Sequence, residues 1–189
     1  MRRDAHEQNR RSWNLVIPAH DSHKRDQAGF LRAGGHTLFP DELGLLGVDT
    51  TGWPTDHVPA DMSRESGPLA GRELLHLQCN VGQDTLSLAR LGARVTGVDI
   101  SDEAIARATA LAAAADLPAR FIRADRDSDD AYTSVTAGEW DAVIDVSRQP
   151  GQVRRAVEAL KDRTRHWVFV SSASVYADST TVGADEDAE

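Results

Sequence analysis

From Gly71 onward the chain alternates short apolar runs with stretches of helical periodicity, a pattern that leaves few solutions other than a parallel sheet wrapped by helices. Glu73 to Leu77 reads as a first strand and Gln83 to Leu91 as a helix closed by Gly92, where a left-handed residue is wanted. Arg94 to Ile100 is the second strand. Ser101 is placed to cap the next helix, with Asp102 and Glu103 in its first turn and Ile105, Ala108, Ala112 and Ala115 on one face. Pro118 follows its end. Ala119 to Ala124, Asp141 to Val146 and His166 to Ser171 complete five expected strands, and a helix from Pro150 to about Lys161 joins the last two. The expected architecture is α/β, a three-layer α/β/α sandwich with a mostly parallel sheet of about five strands and a short helical N-terminal cap.

The cap is expected over residues 1–47, with short helices at Ser22 to Ala33 and Pro40 to Leu46. Residues 48–68 are aperiodic and rich in Pro, Gly, Thr and Asp, and are expected to form a flexible loop. The sheet domain is expected over 69–178 and a disordered acidic tail over 179–189. A length of 189 residues suits one domain of this kind. No apolar run approaches the roughly 20 residues of a membrane span, and the basic N-terminus is not followed by a secretory apolar stretch, so a cytoplasmic protein is expected. The single cysteine, Cys79, agrees with that. A net charge of −9 argues against a partner recognised through a phosphate backbone and leaves small molecules as the expected ligands. No histidines stand at ligand spacing, so no metal is expected.

Ligands of open α/β sheets sit beyond the carboxyl ends of the strands, so attention falls on the turn Gln78-Cys79-Asn80-Val81-Gly82-Gln83 and on Asp99-Ile100 at the end of the second strand. The turn should offer backbone N–H groups, and the helix starting near Gln83 a positive dipole end. Asp99 follows Gly82 by 17 residues (99 − 82), near the separation at which an acidic residue accepts hydrogen bonds from both hydroxyls of a ribose. Asp125, at the end of the third strand, could cover an adenine amino group. Each residue also has a plainer role: Gly82 as a tight turn, Asp99 as a helix cap, and Cys79 as a small buried residue rather than a nucleophile. Trp13, His20 and His23 are either packing and surface groups or a closure over the ligand.

With these residues in view, the chain resembles the class I S-adenosylmethionine-dependent methyltransferases, specifically a bacterial group with a degenerate glycine loop. The family's usual motif places an acidic residue at His76 and glycines at Gln78, Asn80 and Gly82, of which this sequence keeps only Gly82. Arg11-Ser12-Trp13-Asn14, Pro18-Ala19-His20, Ser22-His23-Lys24 and Phe39-Pro40 resemble the N-terminal segment of that group. The resemblance implies a Rossmann-like fold and S-adenosylmethionine as cofactor. Gln78 to Gly82, with Gln83, would wrap its methionine part, Asp99 and Ile100 its ribose, and Asp125 would lie near its adenine. It further implies a small-molecule methyl acceptor, with Asp145, His20 and His23 as unranked candidates for a base.

The C-terminal part resembles something else. Trp140 to Val146 and His166 to Asp178 are similar to the middle of an extended short-chain dehydrogenase or NAD-dependent epimerase, with Ser172 matching a carbonyl-polarising serine. The glycine-rich dinucleotide turn and the Tyr-x-x-x-Lys pair of that family are missing. A junction of two sheet halves near Arg123-Ala124-Asp125 is therefore expected, and with it a truncated or chimeric methyltransferase. The alternatives are a non-catalytic cofactor-binding remnant and an NAD(P)-dependent epimerase or reductase. A sheet lacking its final strands would leave an edge through which a homodimer could form.

Overall fold

The computed structural model describes residues 3–22, 25–126, 128, 131–147 and 149–170, without the side chains of Arg3, His20, Asp21 and Ser22. Five strands form one sheet: β1 (Glu73–Leu77), β2 (Arg94–Asp99), β3 (Ala119–Arg123), β4 (Trp140–Asp145) and β5 (Thr164–Phe169). Their order across the sheet is β3-β2-β1-β4-β5, and every neighbouring pair is parallel. The chain winds outward from β1 in both directions, so the fold is a Rossmann-like α/β sandwich with helices on both faces. Strand positions agree with the sequence reading to within two residues, because each strand is an apolar run bounded by polar residues.

The helices are α1 (Arg3–Ser22), α2 (Gln27–Arg32), α3 (Pro40–Leu45), α4 (Gln83–Arg90), α5 (Asp102–Ala115) and α6 (Pro150–Leu160). Leu74, Val95, Ala142, Ile144 and Val168 of the sheet pack against Leu43 of α3 and Leu88 of α4. Leu31, Leu86, Ala112 and Ala115 extend this layer through α2, α4 and α5. On the other face Leu75, Leu77, Val98 and Val143 meet Ala156 and Leu160 of α6, together with Tyr132 and Val135. Among the described residues, the crossover between β3 and β4 contains turns at 131–137 in place of a helix. No described helix is long and apolar enough to cross a membrane.

Two expectations need correction. The N-terminal region is dominated by α1, a 20-residue helix absent from the sequence reading, and the helix expected at Ser22 to Ala33 is only Gln27–Arg32, started by Asp26. The expectation failed because α1 is a polar helix with Pro18 inside it, and most of its apolar contact is concentrated in Ile17. The stretch 48–68 has no helix or strand, as expected, yet it is packed. Val48 and Val58 are buried, Trp53 and Met62 lie against the core, and His57 bridges Gly35. The expected acidic tail lies outside the described residues.

Two buried histidines make folding sensitive to acid. His36 is 3% exposed with neither ring nitrogen in a hydrogen bond of normal geometry, and burial holds its pKa below the usual 6.5. His76, inside β1, is lowered in the same way against the opposing pull of Asp84 and Asp145, and its Nδ1 lies 2.9 Å from the Thr85 hydroxyl. Above pH 6.5 both groups are neutral in either state. Below it the unfolded chain takes up protons first, so their contribution to stability is lost as pH falls toward the folded-state values. Each can contribute a slope of up to about 1.4 kcal/mol per pH unit. Urea unfolding at pH 7.5 and 5.5 is expected to show a loss on the order of 1–2 kcal/mol from these two groups, part of it absent in His36→Phe.

Candidate functional site

After β1 the chain makes a turn whose alternate residues are left-handed: Gln78 at φ 62°, Asn80 at φ 50° and Gly82 at φ 78°. These are the three positions at which the methyltransferase resemblance expects glycine, so the backbone path is that of a glycine loop although two glycines are gone. A residue with a Cβ held there costs roughly 1–2 kcal/mol, less for Asn. Asp99 supplies the restraint. Its Oδ2 accepts from the Asn80 N–H at 2.9 Å and its Oδ1 from the Ser101 N–H at 2.9 Å, which ties the turn to the end of β2. Burial pushes the Asp99 carboxyl up, opposed by the N–H groups of Ser101, Asn80 and Ile100.

The middle of the turn, residues 79–82, does not offer free amides. Cys79 N–H donates to Val98 O, Asn80 N–H to Asp99, Val81 N–H to Asn80 Oδ1 and Gly82 N–H to Cys79 O. The expectation that this turn presents N–H groups to a ligand is therefore corrected for residues 79–82, whose four amides are consumed within the protein.

A cavity of about 490 Å³ lies between α1 and the carboxyl ends of β1, β2 and β4. Of the residues expected to hold a cofactor, Gln78, Asn80, Asp99, Ile100 and Asp125 line it, whereas Cys79, Gly82 and Gln83 do not. Cys79 is buried with its thiol toward β2, where a Cβ on Gly97 would come within 2.9 Å of the sulfur, and burial pushes that thiol well up. Gln83 turns away to bond Gln27 of α2. Gly82 caps α4, and a Cβ there would sit 2.8 Å from the Phe121 ring and 2.9 Å from Ala108. Gly82→Ala combines that clash with a left-handed backbone. It is expected to destabilise by about 2–4 kcal/mol in thermal or urea unfolding.

Trp13 and Ile17 of α1 form the roof of the cavity. The helix is docked by Ile17 against Val81 and Ala104, by Asn14 Oδ1 accepting from the Ser101 hydroxyl at 2.7 Å, and by Arg10 on Asp102. His6 Nδ1 reaches Asp125 Oδ2 at 3.1 Å. The side chain of His20, and His23 altogether, lie outside the described residues.

Asp145 is not a base. It is fully buried, and both oxygens are held by Arg126 in a two-pronged pair at 2.8 and 2.9 Å, with the Ser147 N–H at 3.0 Å. Buried and not lining the cavity, it is out of reach of a substrate proton. Arg126, which the sequence reading missed, also donates to the Tyr132 hydroxyl at 3.0 Å and lines the cavity. Nothing in its local sequence marks it; its role depends on β3 and β4 ending on the same side of the sheet. With Arg126 neutralised by Asp145, the charge that the described residues present to the cavity is that of Asp99 and Asp125. Among the described residues, no group of three or more His, Cys, Asp or Glu side chains is arranged to hold a metal ion.

Residues 74–166 match the family model of a methyltransferase domain. The matched range takes in β3, β4 and α6, on both sides of the place where a junction of two sheet halves was expected, and nothing supports a dehydrogenase-like C-terminal part. Ser172 and Tyr176, on which that resemblance leaned, lie outside the described residues. No curated protein matches the chain. Among solved structures it is similar to one described under conversion of a disulfide bond into a thioacetal group in echinomycin biosynthesis, at 35% identity and TM-score 0.41, covering 49% of this chain and 40% of that one. It is also similar to the bifunctional kinase-methyltransferase WbdD, at 26% identity and TM-score 0.44, covering 57% of this chain and 25% of that one. A third is the Pyrococcus abyssi tRNA (uracil-54, C5)-methyltransferase bound to S-adenosyl-L-homocysteine, at 26% identity and TM-score 0.42, covering 53% and 24%. The chain thus spans between 24% and 40% of the length of these structures.

Proposed function

We propose that this protein binds S-adenosylmethionine under α1 and transfers its methyl group to a small molecule in the cytoplasm. The observation that carries the reading is the charge and donor set of the cavity. Among the described residues, two carboxylates, Asp99 and Asp125, face it; the arginine that lines it, Arg126, is neutralised by Asp145; and the turn below it has no spare amide among residues 79–82. Such a site favours a ligand of net positive charge and disfavours a pyrophosphate, which separates a sulfonium donor from a nicotinamide dinucleotide. The methyltransferase-domain match over 74–166 supports the same reading.

The residues present fit that cofactor. Asp99 has lone pairs left after two backbone bonds and would take the ribose hydroxyls, Ile100 would lie beside the nucleoside, and Asp125 would serve the adenine end. Gln78 and Asn80 would flank the amino-acid part. When bound, the cofactor supplies an electrophilic methyl carbon on a sulfonium centre. The protein's own share is to place the acceptor and keep water away, work that α1, Trp13 and Ile17 perform by covering the site. The experiment is calorimetric titration with S-adenosylmethionine, S-adenosylhomocysteine, NAD and NADP. Micromolar binding of the two adenosyl compounds and none of the dinucleotides is expected; the reverse would replace this reading by the reductase, and silence from all four by the non-catalytic remnant.

A further inference from the structure

A second cavity, of about 240 Å³, lies between α3 and the sheet, and it shares Val146 with the first. The two sit on either side of the end of β4. The walls of the second are Leu45, Leu46, Ile144, Val168 and Phe169, with His76 as a buried polar side chain on the wall. Leu45 and Phe169 are 59% and 47% exposed, so the apolar lining continues to the mouth. Among the described residues no lysine or arginine lines it. Its charged groups are Glu42 and Asp84, both acidic. Glu42 accepts from the Phe39 N–H at 2.8 Å and Asp84 is bonded by the Thr37 hydroxyl, so both are fixed in place rather than free to swing away. His76 is kept neutral by its burial and adds no positive charge.

We propose that this cavity receives the methyl acceptor, and that the acceptor is a small apolar amine without an acidic group. The inference rests on the methyltransferase reading. Val146 lines both cavities, so a donor in one and an acceptor in the other are neighbours at that point. The amine, gathered as its ammonium form, would give its proton to water at the open mouth, and its freed lone pair would form the C–N bond as the methyl–sulfur bond breaks. S-adenosylhomocysteine would leave, and the methylated nitrogen would carry the positive charge. The volume is below the roughly 300–1,000 Å³ of usual ligand pockets, which limits the acceptor to one or two rings. An apolar wall favours burial of those rings, two fixed carboxylates at the polar side favour an ammonium, and an anionic acceptor would meet like charge with no cation to offset it.

The test uses two isosteric probes of opposite charge, 2-naphthylmethylamine and 2-naphthoic acid, titrated into the full chain with labelled Leu, Val and Ile methyl groups. The amine is expected to shift the Leu46 and Val168 signals and to bind at least tenfold more tightly than the acid. In Leu45→Lys, a change at an exposed position of the rim, that preference is expected to shrink at least threefold. Equal or tighter binding of the acid would overturn the proposal, as would unshifted methyl signals with both probes, which would mean that the cavity is closed by the chain itself. Calorimetry with S-adenosylhomocysteine on the same sample separates the two readings. Cofactor binding without probe binding sinks only the acceptor site, and probe binding without cofactor binding sinks the methyl transfer.

Discussion

Arg126→Met is expected to lower stability by about 3–5 kcal/mol, because it leaves the buried carboxylate of Asp145 without its partner. For a chain of this size that corresponds to a fall in melting temperature on the order of 10 °C. The cause is desolvation. Asp145 has no exposed surface, and an ionised carboxylate there needs a cation beside it to offset its lost hydration. The double variant Arg126→Met/Asp145→Leu removes both charges and is expected to recover most of the loss, since a buried pair contributes little net stability compared with an apolar replacement. Thermal unfolding of the three variants checks this. A double variant no more stable than Arg126→Met would show that the arginine acts instead through its hydrogen bonds to the hydroxyls of Tyr132 and Ser147.

Asp99→Ala is expected to weaken S-adenosylhomocysteine binding by about 100-fold or more. On the proposed reading the carboxylate takes two hydroxyl hydrogen bonds, each on the order of 1.5–3 kcal/mol for a charged acceptor. The same substitution frees the N–H groups of Asn80 and Ser101, so the left-handed turn loses its restraint as well as the ligand its anchor. Asp99→Asn keeps an acceptor oxygen but not the charge, and should fall between wild type and alanine. Calorimetry on the three proteins decides; an affinity unchanged in alanine would remove Asp99 from the site.

The sheet was legible because its signal is local. Leu74, Leu75 and Leu77, or Val143 and Ile144, are runs of apolar residues that need burial on both faces, and such runs bounded by turns read as parallel strands. The end of β2 was legible for a similar reason, since Asp99 stands at a fixed distance from the turn at Gly82. What escaped depends on residues far apart in sequence. Arg126 and Asp145 meet only because β3 and β4 deliver their ends to one side of the sheet, and α1 covers the site by contacts to Val81, Ser101 and Asp102. Trp13 and Ile17, four residues apart, carried a weak helical signal that the surrounding polar sequence hid. The turn was misjudged in a more specific way. Gln78, Asn80 and Gly82 are left-handed, but that the amides of 79–82 are engaged can be seen only from the fold.

The segment from Asp99 to Glu103 belongs to two structures at once. Its first residue faces the cavity, and its remaining polar groups anchor α1 through Asn14 and Arg10. Occupancy of the cavity and docking of the helix are therefore thermodynamically linked. Whatever affinity the ligand gains from a seated roof, the roof gains in equal measure from the ligand, because the coupling free energy is reciprocal.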